Sequence, residues 1–133
     1  MSAMPLTYPP APARASVVRA PYTVAGARRA ARGLLHAWSV DTDRTDDALL
    51  IVSELVTNAF RHGRSPITLA LRHCGGLLTV AVRDAGGYQL WTQTDRRSAP
   101  PDETGRGLDI VAALATRCGA RTTATHTTVW ARL

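Results

Sequence analysis

Hydrophobic and polar residues follow two different periods along this chain, and the change of period separates predicted helices from predicted strands. Apolar residues recur about every 3.6 positions over residues 23–40 and again up to His62, as on the buried face of a helix. Thr23 is the candidate N-cap of the first of these helices. Apolar residues alternate in two segments, first at Ile67, Leu69 and Leu71 and then at Leu78, Val80 and Val82, and Gly75-Gly76 separates them with a hairpin signal. The pattern therefore predicts two helices followed by an antiparallel pair of strands.

The second half of the chain continues with a third helix, predicted over residues 106–119, and two closing strands around a turn near Thr125-His126. Residues 85–105 show weak periodicity, and a loop of this length in a compact domain is usually functional or disordered. A short strand at residues 15–20 precedes the first helix. The order β-α-α-β-β-loop-α-β-β predicts an α+β fold, a two-layer α/β sandwich with three helices on one face of the sheet.

The amino-acid composition indicates a single-domain protein with a basic surface. The 133 residues suit one domain, and we expect a mobile Pro-rich tail at residues 1–14 and a folded domain over 15–133. All 16 basic residues are Arg and the net charge is +6, a bias that a high-GC genome explains in part. A basic surface attracts nucleic acid, nucleotides or an acidic protein. The Arg residues are scattered with little aromatic interleaving, which argues against nucleic-acid binding.

Cysteine usage and hydropathy point to a cytoplasmic protein. Cys74 and Cys118 lie far apart without the spacing of metal ligands, so we expect two free thiols in a reducing compartment. No apolar run approaches the length of a membrane span, and the first residues lack the pattern of a signal peptide.

The second helix carries the first candidate for chemistry, in the segment SELVTNAFRHG, residues 53–63. Glu54 and Asn58 lie one turn apart and continue toward Arg61 and His62 as a polar stripe, roughly 100° from the aliphatic one. A solvated helix edge is the alternative interpretation. For His62 a helix-end cap is the simplest role.

The second candidate is Asp84, which continues the parity of the apolar residues of its strand and should point toward the helices. An acid on a covered face is costly without partners. Gly86 and Gly87 follow at once, so the backbone can turn sharply or approach a ligand. A turn-capping aspartate is the structural alternative.

The third candidate is TGRGL, residues 104–108, where Gly105, Arg106 and Gly107 stand at the predicted start of the third helix. Free N–H groups and the positive end of the helix dipole form an anion site there. Together the three features predict a nucleotide pocket. The inward carboxylate would accept a hydrogen bond from an adenine amino group, the glycine-rich helix start would hold phosphates, and the carboxamide would ligate Mg²⁺.

At these residues the chain resembles the Bergerat-fold (GHKL) ATPases, a superfamily that includes gyrase-type topoisomerases, histidine kinases and mismatch-repair ATPases. It is most similar to the small bacterial anti-sigma-factor serine/threonine kinases. SELVTNAFRHG resembles the Asn-containing helix of the family, VRDAGG its first glycine box, TGRGLDIV its second and TTVWARL its last strand. The implied fold has a mixed, mostly antiparallel sheet.

The resemblance implies roles for individual residues. Asn58 is similar to the Mg²⁺ ligand, and Glu54 to the residue that positions or activates the nucleophile. Asp84 would bind the adenine amino group, with Gly86 giving the ring access and residues 88–104 forming a short lid. The remaining nucleotide contacts would come from Arg61, Gly105, Arg106, Gly107 and Thr127.

Two positions depart from the family pattern: Tyr88 replaces the last glycine of the first box, and His126 replaces a glycine before Thr127. The implied function is an ATP- and Mg²⁺-dependent kinase that phosphorylates an anti-anti-sigma-type protein and binds a sigma factor. Both departures favour the alternative, a nucleotide-gated protein-binding module with little phosphotransfer. A nucleic-acid binder and a domain that has lost ATP are further alternatives. Related kinases often dimerise through the first strand and sheet edge, so a homodimer is a further expectation.

Overall fold

A computed structural model describes residues 14–19, 23–87 and 101–133, of which residues 17, 19 and 101–106 are described by their backbone alone. The predicted tail, residues 1–14, lies outside the described residues except for Arg14, which begins the first strand. Of the predicted lid, residues 88–104, the part 88–100 with Tyr88 also lies outside them, whereas residues 101–104 belong to a helix rather than to a loop.

The described chain follows the predicted order of elements. Its successive strands and helices are β1 (Arg14–Arg19), α1 (Val24–Ala37), α2 (Thr42–His62), β2 (Thr68–Cys74), β3 (Leu77–Asp84), α3 (Pro101–Leu114), β4 (Arg117–Thr122) and β5 (Thr127–Arg132). The predicted α+β class is confirmed. None of these helices is both long and apolar enough to cross a membrane.

The first two helices begin at side-chain caps that their sequences supply. The Gly26 amide donates to Thr23 Oγ1 at 2.9 Å, which confirms the predicted cap of α1. The Arg44 amide donates to Asp41 Oδ2 at 3.1 Å, and Asp43 adds a further acid in the first turn of α2. Both acids stand where the helix dipole favours negative charge.

The five strands form one sheet in the order β1-β2-β3-β5-β4, and each of the four pairings is antiparallel. The turn between β2 and β3 uses Gly75 at φ 57° and Gly76 at φ 80°, left-handed conformations that glycine adopts without strain. The register sets Asp84, the last residue of β3, opposite Thr127, the first of β5. The ends of two strands therefore meet at one end of the sheet.

The hydrophobic core lies between one face of the sheet and the helices. The inward residues of β2 and β3 alternate as the sequence predicts, and α2 contributes more buried residues than any other described element. Its fully or almost fully buried aliphatic side chains are Ala48, Leu49, Ile51, Val52, Leu55 and Val56. α2 is therefore the central helix of the helical layer, with α1 and α3 packed beside it.

The third helix departs from the prediction at both ends. α3 begins at Pro101 rather than near Arg106, and proline with the acids Asp102 and Glu103 suits a first helical turn. It ends at Leu114, and Gly119 lies inside β4 instead of terminating the helix. Gly119 pairs with Trp130, and a Cβ there would lie 3.0 Å from the indole ring. The glycine makes room for a neighbouring side chain, a requirement that no local pattern reveals.

Leu55→Ala should lower the free energy of unfolding by about 2–5 kcal/mol, because it removes a buried side chain and leaves a cavity. Leu50 lies on the same helix with 39% of its surface exposed, so Leu50→Ala should cost less than about 1 kcal/mol. Urea unfolding followed by circular dichroism measures both. Equal losses in the two variants would contradict the central position of α2.

Candidate functional site

Asp84 is a buried carboxylate at the end of β3, with 7% of its surface exposed. Its Oδ1 accepts hydrogen bonds from the Gly86 amide at 2.7 Å and from the Arg64 amide at 3.4 Å. Its Oδ2 accepts none from the residues that the structure describes. The Asp84 side chain points toward the helices, as predicted, and it also caps the turn that follows it, so both interpretations of this residue apply. One oxygen caps the turn, and the other is left for a further donor.

Gly63 holds the loop after α2 against this carboxylate. A Cβ on Gly63 would lie 2.6 Å from Asp84 Cγ and 2.7 Å from the Ala59 carbonyl oxygen. The Ala85 amide then donates to the Arg64 carbonyl at 2.8 Å, which ties the loop to the residue after β3. The sequence indicates only a helix stop at Gly63, because a glycine after a helix is too common to signal more. Its close approach to Asp84 makes it part of the site.

Thr127 secures the other side of the turn that follows Asp84. It is 1% exposed, and its Oγ1 donates to the Gly86 carbonyl at 2.7 Å. Gly87 passes against the β4–β5 turn so closely that a Cβ there would overlap the Ala124 carbonyl. The predicted residues Asp84, Gly86 and Thr127 are thus brought together in one hydrogen-bonded group.

Glu54 and Asn58 lie half-buried on one line along α2. At one end of this line, Glu54 meets α3, since a Cβ on Gly107 would lie 2.6 Å from Glu54 Oε2. At the other end, α2 passes into Gly63 beside Asp84. The polar line of Glu54 and Asn58 therefore runs from Gly107, in the second glycine box, toward Asp84, in the first glycine box. Arg61 is exposed in the last turn of α2.

His62 continues the same line one turn beyond Asn58, and its Nε2 is buried without a hydrogen-bond partner among the described residues. The structure shows no hydrogen bond from this atom to the helix end, where the Gly63 amide donates to the Ala59 carbonyl instead. A buried unpaired nitrogen is unusual in a folded protein and calls for a partner. The capping role expected for His62 is therefore not observed, and no pattern in the sequence signals the burial of this nitrogen.

The second glycine box does not stand at a helix start, and that part of the prediction is wrong. Gly105, Arg106 and Gly107 lie in the second turn of α3, because the helix begins at Pro101. Amides beyond the first turn of an α-helix bond to carbonyls four residues earlier, so they are not free for an anion. The Arg106 side chain lies outside the described part of the structure.

His126, which stands where the family pattern has a glycine, is accommodated in the turn before β5 by hydrogen bonds to its neighbours. The His126 amide donates to Thr123 Oγ1 at 3.0 Å, and its ring Nδ1 lies 2.7 Å from Thr125 Oγ1. Neither contact involves Thr127, whose bond to Gly86 forms without a glycine at position 126.

Gly63→Ala should destabilise the protein by about 1–3 kcal/mol, because the new methyl group would meet Asp84 and a backbone carbonyl. Gly33 lies in the interior of α1, where an added methyl group would meet no neighbouring segment within 4 Å, so Gly33→Ala should stabilise by about 0.5–1 kcal/mol. Thermal unfolding of both variants tests the contact. Stabilisation by both would show that Gly63 is only a helix stop.

Comparison with known proteins agrees with this architecture. The model of the histidine kinase-like ATPase domain family matches residues 17–133. The search of curated proteins gave no match. Among solved structures, the RsbU and RsbW domains of Rv1364c from Mycobacterium tuberculosis superpose with a TM-score of 0.65 at 22% identity, over 92% of this chain and 32% of that one. The present chain thus spans about a third of that protein's crystallised length.

A second similar structure is the SiaB-SiaC complex from Pseudomonas aeruginosa. Its TM-score is 0.64 at 13% identity, and the match covers 89% of this chain and 88% of that one. At such identities the two structures establish the fold alone. The family match spans nearly the whole described domain and includes the Asp84 turn and the polar line of α2. The chain belongs to the histidine kinase-like ATPase domain family and has the Bergerat (GHKL) fold.

Proposed function

We propose that this protein binds ATP with Mg²⁺ and transfers the terminal phosphoryl group to a serine or threonine of a separate, small anti-anti-sigma-type protein. Such a kinase would act in the cytoplasm and regulate transcription by switching between this substrate and a sigma factor. The observation that carries the proposal is the Asp84 group. A buried carboxylate has one oxygen without a partner among the described residues, at the foot of a line formed by Glu54 and Asn58.

The adenine end of the site would be formed by Asp84, Gly86 and Thr127. Asp84 Oδ2 would accept a hydrogen bond from the exocyclic amino group of adenine, and the two amides bound to Oδ1 support this assignment because they leave Oδ2 for another donor. Thr127 and Gly86 hold the turn at a fixed distance from the carboxylate. A preformed acceptor of this kind favours binding, because little ordering is left to occur when the ligand arrives.

The phosphate end would lie along α2 toward α3. Asn58 supplies a carboxamide oxygen, and the buried unpaired Nε2 of His62 lies one turn away. No cluster of three or more His, Cys, Asp or Glu that could hold a metal occurs among the described residues. Mg²⁺ is commonly held by one or two protein oxygens together with substrate phosphates and water, so Asn58 is a fitting ligand. Bound there, the ion would neutralise charge on the phosphates.

Glu54 would act on the protein substrate. Its carboxylate would accept the proton of the serine or threonine hydroxyl as that oxygen bonds to the terminal phosphorus. The bond from phosphorus to the bridging oxygen breaks, and ADP leaves. Arg61 and Arg106 would bind phosphate oxygens. Gly105 and Gly107 can add free amides only if the first turns of α3 open, because a closed helix engages those amides.

One observation favours the second candidate, a nucleotide-gated protein-binding module without phosphotransfer. In the described conformation α3 is helical through the second glycine box, and Gly107 lies against the Glu54 carboxylate. Phosphotransfer requires that Glu54 reach a substrate hydroxyl, whereas a binding module does not. SiaB forms a complex with a second protein, SiaC, and this likeness supports a protein partner in either case. A homodimer through the β1 edge is a further part of the proposal.

Asp84→Asn should weaken ATP binding by about 1.5–3 kcal/mol, the scale of a hydrogen bond to a charged group. Asp46 is exposed on α2, and Asp46→Asn makes the same change of charge away from the site, so its affinity should match wild type. Isothermal titration with ATP and Mg²⁺ compares the variants. An Asp84→Asn variant that folds and binds ATP like wild type would reject the adenine assignment.

Glu54→Gln should lower phosphotransfer by about 100-fold or more while ATP affinity stays within a few-fold of wild type, because a general base acts on the chemical step. The assay follows labelled γ-phosphate into a partner protein encoded beside this gene. Asn58→Ala is the contrasting variant, and its ATP affinity should no longer depend on Mg²⁺. ATP binding without transfer by wild type would select the binding module, and no ATP binding at all would overturn both functions.

A further inference from the structure

The face of the sheet that points away from the helices carries a regular pattern of charge. The strand register places Arg72, Thr79, Arg132 and Arg117 in one row across four strands. A second row contains Thr68, Arg83, Thr128 and Arg121 in the same way. Between them runs a row of Ala70, Ala81, Trp130 and Gly119. We call these three rows the arginine face.

The charged side chains of the arginine face are all positive. The five described strands contain a single acidic residue, Asp84, and its side chain is buried with the core on the opposite side of the sheet. Arg83 contacts Thr128 Oγ1 at 3.5 Å, and the Arg132 guanidinium lies 5.9 Å from the centre of the Trp130 ring. None of the face's arginines forms an ion pair within the described part of the chain. Arg72, Arg83, Arg117 and Arg121 are exposed, so their guanidinium groups can reach an acidic partner. Arg132 is half-buried, and its Nε is buried without a hydrogen-bond partner among the residues that the structure describes.

Charge and shape together select the class of partner. A second copy docked face to face would oppose like charges, which is unfavourable. Single-stranded nucleic acid needs aromatic rings free for base stacking. The one aromatic ring in these rows, Trp130, packs against Gly119 and has Arg132 over it, and its row is otherwise alanine and glycine. A protein surface that combines carboxylates with an apolar stripe complements the rows better.

The spacing of the rows fits an α-helix. The arginine rows lie four residues apart along each strand, roughly 13 Å at about 3.3 Å per residue. A helix with its side chains is about 10–12 Å across. We propose that the arginine face binds an acidic amphipathic helix of a partner protein. The apolar stripe of that helix lies on the Ala70–Trp130 row, and its flanking carboxylates pair with the arginines, which bind carboxylates bidentately.

This surface is separate from the nucleotide site, because the sheet lies between them. The proposal therefore stands independently of the kinase assignment, and its test needs no ATP.

Fluorescence anisotropy with the full chain provides the test. The probe is a labelled helical peptide of about 18 residues with a leucine stripe flanked by glutamates. Its counterpart has glutamine at every glutamate position, and an oligo-dT of about 20 nucleotides represents nucleic acid. We expect the acidic peptide to bind, the glutamine peptide to bind at least about 10-fold more weakly, and the affinity to fall with added salt.

Arg83→Glu/Arg121→Glu reverses one row and should weaken binding of the acidic peptide by at least about 10-fold. The control Arg28→Glu/Arg32→Glu makes the same charge change on exposed positions of α1 and should change affinity by less than about 3-fold. If charge reversal prevents folding, Arg83→Gln/Arg121→Gln replaces it and should still weaken binding. Equal losses in face and control variants, tighter binding of oligo-dT, or no binding of the acidic peptide at low salt would each overturn the proposal.

Discussion

The buried carboxylate of Asp84 is the constraint on which the rest of this site depends. A charged group with 7% exposure is stable in a protein only when hydrogen bonds replace its hydration. The amides of Gly86 and Arg64 provide those bonds, and each belongs to a different segment. Satisfying one carboxylate therefore joins the end of β3 to the loop after α2. Thr127 then fixes the same turn to β5.

The sheet separates two surfaces with different chemistry. On the helical side, the core ends at the hydrogen-bonded Asp84 and at the half-buried polar line of Glu54 and Asn58. On the other side, arginines alternate with small residues in open rows. Because successive side chains of a strand point to opposite faces, neighbouring residues such as Arg83 and Asp84 serve these two surfaces. The proposed nucleotide site and the proposed docking surface thus lie on opposite faces of one sheet and do not compete for space.

The position of α3 bears directly on the proposed binding of nucleotide phosphates. A closed helix satisfies the amides of the second glycine box internally, whereas phosphate binding needs them free. Gly107 also brings the α3 backbone against Glu54. Any nucleotide held by these glycines must therefore compete with the hydrogen bonds of the helix. Opening of the first turns of α3 would release the amides, and it would also change the surroundings of Glu54.

The sequence by itself determined the order of elements, the Thr23 cap of α1, the glycine turn between β2 and β3, and the inward orientation of Asp84. These are consequences of local periodicity, capping chemistry and backbone freedom, which act over a few residues. Only the tertiary structure decided that Gly63 contacts Asp84, that Gly119 accommodates Trp130 and that His62 Nε2 is buried without a described partner. It also decided where α3 begins. Each of these depends on which segments approach one another across the fold, and the physical reason is that close contacts between distant residues leave no periodic signal in the chain.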